Sequence, residues 1–202
     1  MHEAIRLLMD EHRIIEQVLG SFETLGQEIR GGLAVERPLL GEYTDFLRSY
    51  ADSRHHMKEE DVLFARMVER GFSRQFGPIA AMLEEHRQGR FHVTALSGLA
   101  EAPGPLSEAE RTQLVAIAGG FVGLLRQHIQ KEDRILYPMA LSELSPADLD
   151  QVNSQFAETE RRLRDDGTHD RQSALVERLV TRFRPDPQRM ANAVMSGGCF
   201  AG

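Results

Sequence analysis

Four segments of this chain carry apolar residues at the three- and four-residue steps of one helix face, each long enough to cross a whole domain. In the first, Ile5, Leu8, His12, Ile15, Leu19, Phe22 and Ile29 share a stripe that stops at Gly31-Gly32. Pro38 opens a second segment, through Leu47, Met57 and Phe64 to a stop before Gly71. Gly77-Pro78 opens a third, carrying Ile79, Met82, His86, Gly89, Val93, Leu96 and Ala100, and "APGP" at 102–105 ends it. Ser107 and Glu110 have the spacing of a capping box for a fourth, through Leu114, Ala118, Phe121, Leu125, His128, Glu132, Ile135 and Met139. No segment alternates with the period of a strand. Long helices joined by short loops pack most readily as an up-down-up-down bundle, so the expectation is an all-α fold with a four-helix bundle over residues 1–143. Ser145-Pro146 then starts a C-terminal helical appendage over 144–185, with Leu149, Val152, Phe156 and Leu163 on one stripe. A second stripe follows at Leu175, Val176, Leu179, Val180 and Phe183. Pro185 and Pro187 predict the end of helical order, leaving 186–202 as a flexible tail.

A net charge of -7 gives no electrostatic reason to bind nucleic acid or an anionic membrane surface. No apolar run approaches the roughly 18 residues that span a bilayer. The start, "MHEAIRLLMDEH", lacks the basic-then-apolar pattern of a secretory signal. A cytoplasmic protein is the expectation, with no nucleic-acid or membrane partner. The single cysteine, Cys199, excludes an internal disulfide framework and a thiolate metal cluster. Any metal chemistry therefore rests on histidine and carboxylate.

Three stripes are broken by a histidine at a core position: His12, His86 and His128, with Glu132 on the same face as His128. A lone core histidine usually finds a hydrogen-bond partner and needs no further account. Burying an unsatisfied polar group costs about 2–7 kcal/mol, so several at mid-height of one bundle need a common partner, and a metal can satisfy them together. In the second segment, "HHMKEEDVLFA" resembles "HIQKEDRILYP" of the fourth. Setting His55 on His128 also pairs Lys58 with Lys131, Glu59 with Glu132, Glu60 with Asp133 and Leu63 with Leu136. That internal repeat favours His55 and Glu59 as the inward pair. Helical projection favours His56 and Glu60, which lie nearer the stripe of Tyr43, Phe46, Tyr50, Met57 and Phe64. A local π-bulge could rotate the helix there and reconcile the repeat with the stripe.

With these residues in order, residues 2–142 resemble the hemerythrin-like (HHE cation-binding) family. The pattern is His12 in "MDEHR", His55 and Glu59 on the second helix, His86 in "GPIAAMLEEH", and His128 with Glu132 in "HIQKEDRILYP". The resemblance implies a four-helix bundle holding two non-haem iron ions bridged by Glu59 and Glu132, with an oxo or hydroxo bridge, and His12, His55, His86 and His128 as terminal metal ligands. Oxygen-carrying members have two histidines four apart on the third helix and an aspartate five after the helix-four histidine. Here Arg90 stands four after His86, Met82 four before it, and the matching carboxylate is Glu132 at four. The six-residue set is similar to that of the bacterial repair-of-iron-centres branch. It implies chemistry with O2, H2O2 or NO rather than reversible oxygen carriage. The Glu-x2-His motif of ferritin-like bundles and the zincin HExxH are both absent.

Other candidates have plainer readings. His2 reads as a frayed terminus, His92 as surface or packing, His169 as solvated, and Tyr50 and Tyr137 as helix-packing residues, with proton donation beside an iron pair as the alternative for a tyrosine. His56 and Glu60 read either as an exposed pair or as outer partners that orient the ligands. Two functional readings follow: a di-iron protein that reacts with or senses O2, peroxide or NO, and an iron store, donor or iron-centre repair module without turnover of its own. The appended helices leave open a homodimer or another protein partner.

Overall fold

The computed structural model describes residues 2–190. Helix α1 spans Glu3–Arg30. His2, expected to fray, instead caps it: the ring Nδ1 accepts the Ala4 N–H at 3.4 Å, and Nε2 lies 3.4 Å from Asp150. The next helix, α2, covers 37–69. It starts as Arg37–Phe46, passes through wider π-helical turns at Leu47–His56 and Glu59–Leu63, and finishes as Phe64–Glu69. Gly71, at φ +101°, lets the chain leave α2 through a backbone conformation that side chains disfavour. Helix α3 is Gly77–Glu101. Helix α4 covers 108–143 as Glu108–Lys131, a π-helical segment Glu132–Leu136, and Tyr137–Glu143. Its capping box forms between Ser107 and Glu110. Two more helices follow, α5 (Pro146–Asp165) and α6 (Thr168–Arg182).

Helices α1 to α4 form the all-α bundle: α1 packs on α4, α4 on α3, α3 on α2, and α2 closes against α1. The extra helices α5 and α6 pack on each other and over the α1 and α2 side. Where α2 begins, the Arg37 guanidinium donates to the carbonyls of Leu99, Gly104 and Pro105 and pairs with Glu110 at 2.9 Å. One side chain thus ties the loop between α3 and α4 to the start of α2.

The apolar interior is divided. One cluster holds Ile15, Leu19, Phe22, Tyr43, Phe46, Phe121 and Leu125, and takes in Leu175 and Leu179 of α6. The other holds Ile5, Leu8, Leu63, Phe64, Ile79, Met82, Leu136 and Tyr137, and takes in Leu149, Val152 and Phe156 of α5. Each appended helix therefore completes one half of the core. Between the halves lies a layer of buried imidazoles and carboxylates.

Residues 187–190 are helical rather than part of a tail. Asp186 caps them by accepting the Gln188 N–H at 2.9 Å, and Pro187, which has no N–H to leave unpaired, takes the first helical position. The preceding Pro185 lies against α1 at Gly20, where a Cβ would come within 2.8 Å of the proline ring. The rest of the expected tail, 191–202, lies outside the described residues.

Helix α5 starts with a reciprocal cap, the Ser145 hydroxyl accepting the Asp148 N–H at 3.2 Å while Asp148 accepts the Ser145 N–H at 3.1 Å. Ser145→Ala should cost about 1 kcal/mol. For a chain of this size that lowers the melting temperature by roughly 2–4 °C. A thermal melt followed by circular dichroism measures it; an unchanged midpoint would show that the apolar face of α5 alone sets its docking.

Candidate metal centre

Backbone geometry places the site. Successive residues of an α-helix turn by about 100°, so neighbours such as His55 and His56 cannot both face the bundle axis. In α2 the turn is wider: the Met57 N–H donates to the Asp52 carbonyl and the Phe64 N–H to the Glu59 carbonyl, each five residues back. In α4 the Tyr137 N–H donates to the Glu132 carbonyl in the same way. The π segments Glu59–Leu63 and Glu132–Leu136 occupy equivalent places in the internal repeat, each opening on its inward glutamate. In α4, Pro138 has no N–H to continue the tighter ladder just beyond the bulge. No residue type in 47–56 dictates the longer π segment locally. Its result is that His55 and His56 are both buried.

Two donor groups result. His12, His55, Glu59 and Glu132 form one, and His56, Glu59, His86 and His128 the other, with the potential ligand atoms of each within 4.8 Å of one another. The carboxylates reach across both. Glu132 Oε2 is 3.3 Å from His12 Nε2 and 3.2 Å from His128 Nε2. Glu59 Oε2 is 3.7 Å from His55 Nε2 and 3.5 Å from His86 Nε2. Buried at the centre, His55 Nε2, Glu59 Oε2 and both Glu132 oxygens make no hydrogen bond. A group left so costs about 1–3 kcal/mol. Cations between these atoms would remove that cost, and a set of imidazoles and carboxylates without thiolate suits borderline or hard divalent ions.

All six residues singled out from the sequence, His12, His55, Glu59, His86, His128 and Glu132, come together here. His56, read as exposed or as an outer partner, is buried and stands in the second donor group; helical projection was the signal for it. Its ring stacks on His86 with centroids 3.9 Å apart. Glu60 stays outside the donor groups and accepts the His86 Nδ1–H at 2.7 Å. Asp133 stands five residues after His128, yet it too lies outside and holds His12 instead.

Every histidine of the site has its outer nitrogen on a carboxylate. The Nδ1 contacts are His12 to Asp133 at 2.7 Å, His55 to Glu11 at 3.0 Å, His56 to Asp52 at 3.3 Å, and His128 to Glu85 at 2.9 Å, alongside His86 to Glu60. Such contacts leave Nε2 as the lone pair for a metal and raise its basicity. Each carboxylate is gripped in turn by a cation: Asp133 by Arg13, Glu11 by Lys58, Glu85 by Lys131, and both Asp52 and Glu60 by Arg90 at 2.7 Å. Arg90, in the place of a second helix-three histidine, thus orients two histidines. Sequence reading missed Glu11, Asp52, Glu85 and Asp133. Glu11 and Glu85 each directly precede a histidine, but each serves a histidine of a different helix. Tyr137, read as packing or as a proton donor beside the metals, donates its hydroxyl to Glu59 Oε1 at 2.6 Å and lies 3.3 Å from His12 Nε2. His92 is partly buried near Phe121, and His169 sits beside Asp170 at 3.4 Å, both away from the site.

Without metal, these contacts set the protonation. Burial alone would push the His12, His86 and His128 imidazoles down, but the carboxylates around them win, raising His12 and His128 to about 9 and His86 to about 10. Burial would raise the Glu59 carboxyl, yet the surrounding imidazoles hold it well below the usual range. His56 is driven down by burial and by the neighbouring His86 charge. A raised histidine stabilises the fold fully below its unfolded value near 6.5, and that contribution is lost as pH rises through 9–10. The metal-free protein should therefore melt progressively lower from pH 7 to pH 10. Over the same window metal should bind more tightly, since it no longer displaces protons. Calorimetric titration with Zn(II) at pH 7 in buffers of different ionisation enthalpy should show proton release; none would rule out the protonated imidazoles.

Comparison with known proteins is consistent with this architecture. The Hemerythrin HHE cation binding domain family matches residues 3–140. The Iron-sulfur cluster repair protein YtfE of Musicola paradisiaca is 37% identical over 92 residues, 44% of this chain and 41% of the relative. YtfE of Edwardsiella ictaluri is 32% identical over 107 residues, 52% of this chain and 48% of the relative. The chain thus spans less than half the length of these curated relatives. An uncharacterized protein of Mycobacterium bovis is 19% identical over 156 residues, 77% of this chain and 60% of that protein. No solved structure matches significantly. With the family match running over residues 3–140 and taking in all the donors, this chain belongs to the hemerythrin HHE cation-binding family.

Proposed function

We propose that the chain holds two non-haem iron ions and reacts with or senses a small molecule of the O2, peroxide or NO class. His12 and His55 serve one position, and His56, His86 and His128 the other, with Glu59 and Glu132 bridging. The observation that carries this reading is the pair of four-donor groups sharing Glu59, with Glu132 reaching histidines of both. Bound there, iron would supply one-electron exchange with such molecules. The rest is the work of the chain. The Nδ1 carboxylates keep every Nε2 aimed inward, and the Tyr137 hydroxyl fixes one Glu59 oxygen and keeps a proton beside His12. The apolar clusters above and below the layer keep bulk water from the donors.

A cavity of about 190 Å³ offers small molecules a route toward the site. It is walled by Ala51, Gly89, Val93, Phe121 and Leu125, reaches His56, and has exposed Arg48 and Arg90 at its rim. That space admits a molecule as small as O2, H2O2 or NO along a largely apolar wall, without selecting among them. The names of the YtfE relatives favour a second reading, repair of iron-sulfur centres, in which the iron pair is delivered or exchanged rather than turned over. Peroxide consumption and NO loss measured on the iron-loaded protein, beside iron transfer to an apo iron-sulfur protein, separate the two.

The ligand assignment has its own test in iron per chain after purification. Glu59→Ala should lose most iron, because a bridge anchors both ions. His55→Ala and His56→Ala should each keep close to one. Two irons retained in His56→Ala would return that histidine to a non-ligating role.

A further inference from the structure

The outer support of one histidine differs from the others. Asp133, Glu60, Glu85 and Asp52 are all partly exposed, and the cations that grip them, Arg13, Arg90 and Lys131, belong to the bundle and reach solvent. Glu11, which holds His55, is buried, and its cation Lys58 is fully enclosed. Lys58 is shared: its ammonium contacts Glu11 and also donates to Glu160 Oε1 of α5 at 2.7 Å, and it sits 5.8 Å from the Phe156 ring centroid of the same helix. Arg54 repeats the arrangement. Its guanidinium is 3.3 Å from Glu11 Oε1, grips both Glu160 oxygens at 3.1 and 2.5 Å, and donates to Gln172 Oε1 of α6 at 2.9 Å. Gln172 closes the net by donating to the Ser49 carbonyl at 3.1 Å. Glu160 and Gln172 both lie beyond residue 140, where the family match ends.

We propose that the appended helices are part of the metal centre: Glu160, backed by Gln172, is the positioning residue that keeps Glu11 on His55 and so sets the affinity of the His12–His55 position. The inference rests on the two-metal reading and deepens it. Its logic is charge balance in a closed space. Two cations, Lys58 and Arg54, face two carboxylates, Glu11 and Glu160, all four buried, with Arg54 and Glu160 only 7% and 8% exposed. Remove the Glu160 charge, and both cations turn to Glu11. Glu11 is then drawn off the His55 Nδ1–H, and the ring loses its fixed tautomer and direction. The affected position has only two histidines, so it has the least to fall back on. The His56–His86–His128 position has no contact with this net.

The experiment uses the full chain, stripped of metal and titrated anaerobically with Co(II), read by visible absorption and by bound metal per chain. Wild type should take up two Co(II). Glu160→Gln should keep one at wild-type affinity and bind the second roughly 10–100-fold more weakly, with Glu160→Asp recovering part of the loss. Ser145→Ala, which loosens the start of α5 away from this net, should keep both affinities. Gln172→Ala keeps every charge and is the variant to read if Glu160→Gln does not fold; it should weaken the same position by several-fold. Unchanged affinities in Glu160→Gln, or in Gln172→Ala where that variant must stand in, would overturn the proposal. So would equal weakening of both positions, or the same loss in Ser145→Ala. A wild type that takes up only one Co(II) would instead overturn the two-metal reading on which this one stands.

Discussion

The structure depends on one unfavourable arrangement made tolerable: two carboxylates and five imidazoles face one another in a layer across the apolar core. Four of their inner atoms, His55 Nε2, Glu59 Oε2 and both Glu132 oxygens, meet no hydrogen-bond partner, and facing groups of the layer approach at 3.0 to 3.9 Å. In a low-dielectric interior such a cluster must be neutralised by protons or by metal ions. Either answer needs every ring held rigidly, because a free imidazole would rotate to find a partner of its own.

Rigidity comes in layers that alternate in charge. Each imidazole leans on a carboxylate, and each carboxylate on a lysine or arginine, so the core groups are neutralised outward toward solvent. Along four of the five chains the last cation reaches water, where an ion pair is weak but unstrained. The fifth ends inside, and there the bundle borrows its last carboxylate from α5. The appended helices also complete the two halves of the apolar core, Phe156 on one side of the polar layer and Leu179 on the other. They are structural to the bundle by packing and electrostatic to the site by Glu160.

Much of this was legible in the residues. Apolar stripes broken at His12, His86 and His128 determined the helices, their breaks and the mid-height level of the site, because a 3.6-residue period leaves few alternatives for which face is buried. The Ser107–Glu110 and Ser145–Pro146 signals marked helix starts for the same local reason. Even the backbone irregularity left a trace: the repeat that aligns Glu59 with Glu132 aligns the two π segments as well.

What tertiary structure alone decided begins where period stops being constant. The repeat pointed to His55, with a π-bulge allowed for, and the projection to His56 on the assumption of one regular helix. The π turns over Leu47–His56 relax that assumption, so both rings fit inside. The partners of the rings were out of reach for a different reason: Glu11 serves a histidine 44 positions away, Glu85 one 43 away, and Glu160 acts on Lys58 across 102. Local spacing encodes which side of a helix a residue occupies. It carries nothing about which neighbouring helix that side will meet, and the hydrogen bonds that orient this site are all made across that gap except the one from His56 to Asp52.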